Sequence, residues 1–252
     1  MGVLVVTGSS RGIGASIARL AATRGWAVCV NSSRCGTQAE AVAREIREDG
    51  GEAIAAIADI AEPDDVSAMF ELVETRLGCV TGLVNNAAVE GSQGPVEQLD
   101  AIATKRLFEV NVLGAFLCTQ AAVKQMSTKL GGPGGAIVNI SSAAARHGGA
   151  AHYVDYAASK SAMDTMTYGH AVEQADAGIR VNCIRPGTVW TEMNRRYMER
   201  DPAYAERIIQ KTPMARAADE SEISHAALWL LSDEASYVTG AILDVSGGMV
   251  PP

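Results

Sequence analysis

Two tyrosines and one lysine lie within the segment YVDYAASK, residues 153–160. A phenol beside an ammonium can exchange a proton near neutral pH, because the positive charge favours the phenolate and lowers a pKa of about 10. Tyr156 and Lys160 are four residues apart, which places them on one face of a helix. Tyr153 lies seven residues from Lys160, or about 10 Å along a helix axis. Tyr156 is therefore the predicted acid or base, and Tyr153 either lines the pocket or anchors the helix N-terminus.

A glycine-rich segment, TGSSRGIG at residues 7–14, follows a short apolar run and precedes a helical stretch. Gly8, Gly12 and Gly14 permit a tight turn and a close approach of the backbone to a ligand. A helix N-terminus offers unpaired N–H groups to a phosphate. The strand-turn-helix context predicts a dinucleotide site, with a plain structural turn as the alternative. A Walker A loop is excluded because no Gly-Lys-Ser/Thr follows.

The second apolar run continues into NSSR, residues 31–34. In nucleotide-binding folds an acid at this point binds the ribose hydroxyls and repels an added 2′-phosphate, and no acid is present here. Ser32 and Ser33 can donate hydrogen bonds to a phosphate, while Arg11 and Arg34 supply positive charge. This combination favours NADP(H) over NAD(H). The alternative is that both arginines are solvated surface charges.

Short apolar runs alternate with helical stretches along the whole chain. The predicted strands are residues 3–6, 27–31, 53–58, 82–84, 136–140, 179–184 and 241–245. The predicted helices are residues 13–24, 37–49, 63–77, 100–128, 153–175 and 219–232. Runs this apolar suit strands covered on both faces, and strand-helix alternation implies parallel order. The sequence predicts one α/β domain over residues 1–252, a Rossmann-type doubly wound parallel sheet of about seven strands, with a helical insertion at about 190–215.

Charge and composition limit the classes of partner. The net charge of -8 argues against a nucleic acid or an anionic membrane as the main partner. The five cysteines contain no C-x-x-C pair, which indicates buried thiols rather than disulfides or zinc, and no other metal-ligand spacing is present. No apolar run approaches the roughly 18 residues of a membrane span. We therefore expect no metal, no membrane and a cytoplasmic location.

These motifs resemble those of the short-chain dehydrogenase/reductase family, in order and spacing over nearly the whole chain. The segment TGSSRGIG resembles the cofactor loop of that family. Further matches are Asp59 to the adenine-contacting acid, NNAA (85–88) to the N-N-A-G turn with Ala88 in place of glycine, Asn111 to the asparagine of the catalytic tetrad, IVNISS (137–142) to the strand that ends in the catalytic serine, YAASK (156–160) to the Tyr-x-x-x-Lys motif, and RPGTVWTEM (185–193) to the segment that passes the nicotinamide.

The resemblance implies hydride transfer between a nicotinamide and a carbonyl or alcohol carbon, with Asn111, Ser142, Tyr156 and Lys160 as catalytic residues. Ser142 would orient the substrate oxygen, and Ser141 is the alternate because neighbouring strand residues face opposite sides. The interval from Ser142 to Tyr156 is one residue longer than is commonest in the family, so a bulge in residues 143–155 must absorb the extra residue. Asn111 would hold a water or kink its helix to complete a proton path through Lys160.

The resemblance also implies where the cofactor and the substrate bind. The expected NADP(H) contacts are Gly8, Ser10, Arg11, Gly12, Ile13, Gly14, Ser32, Ser33, Arg34, Asp59, Ile60, Asn86, Ala87, Tyr156, Lys160, Pro186, Gly187, Val189 and Thr191. The substrate would contact Ser142, Tyr153 and Tyr156. Substrate specificity would lie in residues 89–98, 143–153 and 190–215.

The sequence therefore predicts an NADP(H)-dependent oxidoreductase for a small carbonyl or alcohol substrate of the 3-oxoacyl, ketone or sugar/polyol type. The alternative is a non-catalytic NADP-binding module for regulation or assembly. The intact set of Ser142, Tyr156 and Lys160 argues against that alternative. In the resembling family the helices 100–128 and 153–175 and the C-terminal strand pair across subunits, so a homo-oligomer, tetramer or dimer, is expected.

Other polar residues near these motifs receive no catalytic assignment. His147 and His152 lack a partnering acid at a recognisable spacing, so pocket lining or simple exposure is the preferred interpretation. Arg195, Arg196 and Arg200 fit a solvated helix face, and the alternative is that one of them meets an acidic group of the substrate.

Overall fold

The computed structural model describes residues 2–150, 152–192, 194–195 and 202–249. Its strands form one parallel sheet in the order β3-β2-β1-β4-β5-β6-β7. The strands are β1 (Val3–Val6), β2 (Ala27–Ser32), β3 (Glu52–Ile57), β4 (Val80–Asn85), β5 (Gly135–Ile140), β6 (Ile179–Pro186) and β7 (Ile242–Val245). The predicted fold class, an α/β doubly wound parallel sheet of the Rossmann type, is confirmed.

Helices cover both faces of this sheet. They are α1 (Gly12–Thr23), α2 (Gly36–Glu48), α3 (Pro63–Leu77), α4 (Ala101–Phe108), α5 (Ala115–Met126), α6 (Ala144–His147), α7 (Val154–Gln174), α8 (Pro202–Gln210) and α9 (Glu220–Leu231). Successive strand residues face opposite sides. Leu4 and Val6 therefore pack in the core under α1, α2 and α9, whereas Val3 and Val5 pack in the core under α3 and α5.

The predicted strands and five of the six predicted helices lie within two residues of the observed ones. One predicted helix, residues 100–128, is interrupted, because Glu109–Gly114 between α4 and α5 is a π-helix. The short helix α6 was not predicted. The predicted helical insertion at 190–215 contains α8, while Met193 and residues 196–201 lie outside the described residues.

The expectation that the cysteines are buried holds for three of them, Cys29, Cys118 and Cys183. It is wrong for Cys35 and Cys79, which lie at the start of α2 and just before β4, where the chain is close to the surface. All five are free thiols.

One helical stretch, Ala101–Met126, is long and apolar enough by composition to cross a membrane, and 44% of its most apolar window is buried inside the protein. This stretch comprises α4, the π-helix and α5, and α5 packs against β4 and α3. A core helix passes the same length and composition test, so the finding does not assign the stretch to a membrane.

The strand order creates a crevice at the carboxyl ends of β1 and β4. After β3, at one edge of the sheet, the chain crosses back to form β4 on the other side of β1. The loops that follow β1 and β4 therefore leave in opposite directions, and ligands of such sheets bind at this switch point. The segments that follow β1, β4 and β5 carry most of the predicted site residues.

A buried polar network holds the helices in place behind this crevice. The Asn85 amide donates to Thr119 Oγ1 of α5 at 3.0 Å and to Asn139 Oδ1 of β5 at 2.9 Å. The Asn139 amide donates to Thr167 Oγ1 of α7 at 2.8 Å. All four side chains are buried. Because buried polar groups are costly when unpaired, this network ties β4 and β5 to α5 and α7.

We expect Asn139→Ala to lower the free energy of unfolding by about 3 kcal/mol, because it removes one partner each from buried Asn85 and Thr167. Urea denaturation measures the change. The matched control is Thr75→Ala, which removes a hydroxyl bonded to Glu71 on an exposed part of α3 and is expected to cost at most about 0.5 kcal/mol. Equal losses in the two variants would contradict this account of the network.

Candidate active site

Tyr156 lies in the first turn of α7, and Lys160 follows one turn later. Lys160 Nζ is 5.6 Å from the centre of the Tyr156 ring. The Ser142 side chain, just beyond the end of β5, lies close enough to the Tyr156 side chain to lower the pKa of the phenol. The structure therefore brings together three of the four residues predicted to form the catalytic set.

Lys160 is buried, with an exposed fraction of 2%. Its Nζ donates a hydrogen bond to the Ile140 carbonyl at 2.8 Å. Burial lowers the pKa of Lys160 to about 8, against the opposite effects of Cys183 and Asp164. Both the ammonium and the neutral amine are therefore accessible close to neutral pH.

Burial raises the pKa of Tyr156 well above its usual range. The Ser142 side chain opposes this shift in the pKa, and the charges of Glu90 and Tyr153 add to it. Our prediction that Lys160 lowers this pKa is wrong for the protein chain alone. The reason is that the ammonium binds a carbonyl oxygen and lies over the ring, while burial disfavours the phenolate.

The two adjacent serines have different surroundings. Ser141 is buried, and its hydroxyl donates to the Lys160 carbonyl at 2.9 Å. Ser142 instead faces Tyr156, and its Oγ also accepts a hydrogen bond from the Ala144 N–H at 3.1 Å. The geometry thus favours Ser142 over Ser141 as the residue beside the reacting phenol.

The segment between Ser142 and Tyr156 does not bulge as a simple loop. It forms the short helix α6, which ends at Gly148 and Gly149, both in the left-handed region with φ of 75° and 60°. Only glycine adopts such conformations readily, so these two residues reverse the chain and return it to α7.

Asn111 lies in the π-helix and is almost fully buried. Its Oδ1 accepts the Val89 N–H at 2.8 Å, and its Nδ2 donates to the Val89 carbonyl at 3.0 Å and to Ser159 Oγ at 3.1 Å. The Ser159 hydroxyl donates in turn to the Tyr156 carbonyl. The Asn111 side chain therefore joins the segment after β4 to α7, and its expected roles in a proton path or in bending its helix stay predictions.

The glycine-rich segment leaves room for a ligand at the start of α1. Arg11, the N-cap residue, makes no side-chain capping bond, and no acid occupies the first turn. A Cβ at Gly12 would meet nothing closer than 3.9 Å, whereas one at Gly8 or Gly14 would collide with Ala87 or Asn86. Uncapped N–H groups beneath an open surface suit a phosphate, so these residues fit a dinucleotide. Ser10 and Ile13 beside them are half-buried.

The turn after β4 holds this segment from behind. Asn86 Nδ2 donates to the Thr7 and Gly8 carbonyls at 2.9 and 3.1 Å. Thr7 Oγ1 accepts the N–H groups of Asn86 and Ala87, both at 3.0 Å. Ala88 is tolerated in place of glycine because its φ is not positive. Sequence reasoning missed Thr7, although its position next to Gly8 was visible.

At the end of β2 the side chains differ in exposure. Ser32 is buried and its Oγ accepts the Cys35 N–H at 3.3 Å, while Ser33 and Arg34 are exposed. No acid occurs in residues 31–34 at the end of β2; the buried Asn31 side chain accepts the Gly8 N–H and donates to the Ala56 and Ala58 carbonyls. Arg11 is exposed and pairs with Glu192 at 3.5 Å.

Two residues that were predicted to contact the adenine, Asp59 and Ile60, make contacts with other residues of the protein. The Asp59 carboxylate pairs with Arg106 of α4 and also accepts the Ala61 N–H at 3.1 Å. Ile60 is buried and packs closely against Gly114. Adenine contacts at these positions stay a prediction.

The segment after β6 passes close to the phosphate loop. Pro186 ends β6, and a Cβ at Gly187 would collide with Ser246. Val189 is buried and pairs with Ala218 in a parallel bridge. The Thr191 methyl group lies 3.9 Å from the Cβ position of Gly12. This segment is therefore placed where it can cover a ligand bound at the loop.

The Tyr156 ring contacts the ring of Tyr153, which in turn contacts two histidine rings. Tyr153 meets Tyr156 edge-on at 6.2 Å between ring centres and meets His147 at 6.0 Å. His152 is exposed and lies 6.3 Å from Tyr153. Both histidines therefore contact Tyr153. Arg195 is exposed, while Arg196 and Arg200 lie outside the described residues.

Metal binding is not supported by the part of the chain that the structure describes. No group of three or more His, Cys, Asp or Glu side chains with ligand geometry occurs there.

Comparison with known proteins agrees with this geometry. The family model described as enoyl-(acyl carrier protein) reductase matches residues 8–250. The chain therefore belongs to the short-chain dehydrogenase/reductase family. It is an oxidoreductase of the type that acts on alcohol or ketone substrates with a nicotinamide cofactor.

Individual relatives match over nearly their whole length. The uncharacterized oxidoreductase YgfF of Escherichia coli (strain K12) is 46% identical over 248 residues, which cover 98% of this chain and 100% of YgfF. The cis-4-hydroxycyclohexanecarboxylate dehydrogenase of Sinomonas cyclohexanicum is 36% identical, covering 98% and 95% of the two chains. The crystal structure of a gluconate 5-dehydrogenase from Burkholderia cenocepacia in complex with NADP and tartrate has a TM-score of 0.91 and 33% identity, covering 98% and 94%.

The lowered pKa of Lys160 predicts how stability depends on pH. Between about pH 8 and pH 10 the unfolded chain holds a proton on this lysine that the folded chain has lost, so folding becomes more favourable as pH rises. Relative to Lys160→Met, the wild type should gain on the order of 1 kcal/mol of unfolding free energy per pH unit in this window. Urea denaturation at several pH values measures the difference.

The control is Lys124→Met, at an exposed position on α5, whose difference from the wild type should stay constant with pH. A constant difference for Lys160→Met as well would contradict the buried, charge-disfavouring environment of Lys160.

Proposed function

We propose that the protein is an NADP(H)-dependent oxidoreductase that transfers a hydride between the nicotinamide and a carbonyl or secondary alcohol carbon of a small molecule. One observation carries the proposal. Ser142 lies close enough to Tyr156 to lower the pKa of its phenol, the buried Lys160 follows Tyr156 by one helical turn, and this group lies at the carboxyl ends of the parallel strands, as the phosphate loop does. The substrate is of the 3-oxoacyl, ketone or sugar/polyol type, and the dehydrogenases of a hydroxycyclohexanecarboxylate and of gluconate among its relatives support an alcohol on a small carbon skeleton.

The chain's own residues divide the chemistry between them. The nicotinamide, when bound, supplies or accepts the hydride. In reduction Tyr156 gives its phenolic proton to the substrate oxygen, and in oxidation it takes that proton back. Ser142 donates a hydrogen bond to the same oxygen, which orients it and stabilises its developing negative charge. The Lys160 ammonium lies 5.6 Å from the centre of the Tyr156 ring and donates to the Ile140 carbonyl, which holds α7 against the end of β5 beside Ser142.

Preference for NADP(H) follows from the residues beyond β2. Arg34 and Ser33 are exposed and free of carboxylate neighbours in sequence, and Asn31 carries no charge that would repel a 2′-phosphate. The positive charge of Arg11 also acts at the end of β2. The pKa of the Cys35 thiol there is lowered mainly by hydrogen bonds from Thr37 and Gln38 and, to a smaller extent, by the charge of Arg11. The relative from Burkholderia cenocepacia was solved with NADP.

The alternative is an NADP-binding module without catalysis. Such a module would not require the Ser142 side chain beside the phenol of Tyr156. It would also not require a buried lysine, which reduces stability. Assembly into a homo-oligomer and a cytoplasmic location stay predictions. Exposed Phe116 of α5 and Tyr168 of α7 give the helices expected to pair across subunits an apolar surface.

Tyr156→Phe should lower kcat by about 100-fold or more with NADPH and a panel of ketones, because it removes the proton donor and little volume. Absorbance of NADPH measures turnover, and fluorescence titration should show that NADPH still binds. Tyr237→Phe is the matched control, because Tyr237 is fully exposed and belongs to no predicted site, and it should keep the activity. Tight NADPH binding by the wild type with no turnover of any ketone would instead favour the non-catalytic module.

Arg34→Ala should raise the KM for NADPH about tenfold and leave the KM for NADH unchanged, because only NADPH carries the 2′-phosphate. Steady-state kinetics with both cofactors measure this split. The control Arg44→Ala removes a cation of α2 that pairs with Glu48 on the surface and should change neither constant. Equal use of NADH and NADPH by the wild type would overturn the cofactor assignment.

A further inference from the structure

The chain after β4 runs alongside the start of α7. The Gly94 N–H donates to the His152 carbonyl at 2.8 Å, and the Ser92 N–H donates to Asp155 Oδ2 at 3.2 Å. Glu90, at the beginning of this segment, lies close enough to Tyr156 for its charge to act on the phenol. The segment Glu90–Gly94 therefore borders the candidate active site.

Asp155 joins three parts of the protein through one buried carboxylate, whose residue is 5% exposed. Its Oδ1 accepts the Tyr156 N–H at 2.8 Å in α7. Its Oδ2 accepts the Ser92 N–H and also the Thr104 hydroxyl of α4, the latter at 3.3 Å. All three partners donate. An ionised carboxylate can accept all three bonds, whereas an asparagine would turn an NH2 group toward a donor.

Gly91 lies directly against this carboxylate, where no side chain would fit. A Cβ at position 91 would lie 2.0 Å from Asp155 Oδ2 and 2.7 Å from Leu107 Cδ1. The Leu107 methyl is the far end of a flexible side chain, but the carboxylate is held by its three hydrogen bonds. Gly91 is therefore required chiefly by Asp155, and the two residues form one structural unit.

We propose that Asp155 is a positioning residue of the active site: it clamps the segment Glu90–Gly94 to the helix that carries Tyr156 and so fixes one wall of the substrate-binding cleft. The inference deepens the proposed function, on which it rests for the identity of the site. Substrate meets a wall that is already ordered, which lowers the entropy lost on binding.

The kinetic signature is a split between KM and kcat. Asp155→Ala should raise the KM for the carbonyl substrate about tenfold, because the freed segment must be ordered by the substrate. It should change kcat less than about threefold, since the side chains of Ser142, Tyr156 and Lys160 keep their own contacts and only the Tyr156 backbone N–H loses an acceptor. Asp155→Asn should not restore the wild-type KM, because the NH2 group of asparagine would face an N–H donor instead of accepting its hydrogen bond. Full rescue by asparagine would show that only the size of the side chain matters and would overturn the proposal.

A double-mutant cycle tests whether Gly91 and Asp155 act together. Gly91→Ala alone should lower the melting temperature clearly, whereas in the Asp155→Ala background it should add little, because the colliding carboxylate is gone. Additive effects of the two substitutions would overturn the clamp.

Amide hydrogen exchange tests the clamp without any substrate. Asp155→Ala should speed exchange in peptides that cover residues 89–98, where the Ser92 N–H loses its acceptor, and should leave peptides of α1 unchanged. The control Asp176→Ala removes an exposed acid that pairs with Lys129 and should match the wild type in exchange and KM.

The outcomes separate the clamp from the proposed function. Unchanged exchange in residues 89–98 overturns the clamp, and faster exchange with an unchanged substrate KM overturns its role at the cleft. Absence of turnover by the wild type contradicts the proposed function. In that case the exchange rates and the melting temperatures still show whether Asp155 holds the segment Glu90–Gly94 against α7.

Discussion

Two hydrogen bonds between α7 and the end of β5 hold the reacting groups in register. The Lys160 ammonium donates to the Ile140 carbonyl, and the Ser141 hydroxyl donates to the Lys160 carbonyl. Ser142 follows directly in the chain, and Tyr156 lies one turn earlier on the helix. The distance between Ser142 and Tyr156 therefore depends on this reciprocal pair. Ser141, which could have been the reacting serine, is instead part of the support.

Burial of the lysine also determines the electrostatics. The ammonium lies in surroundings that disfavour its charge, and Asp164, one turn further along α7, offsets part of that penalty. Asp164 is itself bound by Arg185 of β6 at 2.7 Å. Such an arrangement reduces stability and leaves a lysine that can change its charge near neutral pH. Functional sites commonly keep groups whose pKa is displaced in this way.

The sheet could be predicted from the sequence because most of its strands, though not the edge strands β3 and β7, are buried on both faces and therefore appear as apolar runs. The phosphate loop and the Tyr-x-x-x-Lys spacing could be predicted because their chemistry depends on neighbours in sequence. The π-helix could not, since Asn111 bonds to Val89, 22 residues away. The direction of the Tyr156 pKa depends on burial, which the residue types do not contain. Asp155 was missed although it precedes Tyr156, because two of its donors lie 63 and 51 residues away.

The central claim is that the phosphate loop at the start of α1 and the set of Ser142, Tyr156 and Lys160 serve one bound dinucleotide. A crystal structure of the protein soaked with NADP+ tests it most directly. The account predicts the pyrophosphate against the N–H groups of residues 12–14 and the nicotinamide facing the cleft beside the Tyr156 hydroxyl. A dinucleotide bound elsewhere, or a nicotinamide end that points away from Tyr156, would contradict it.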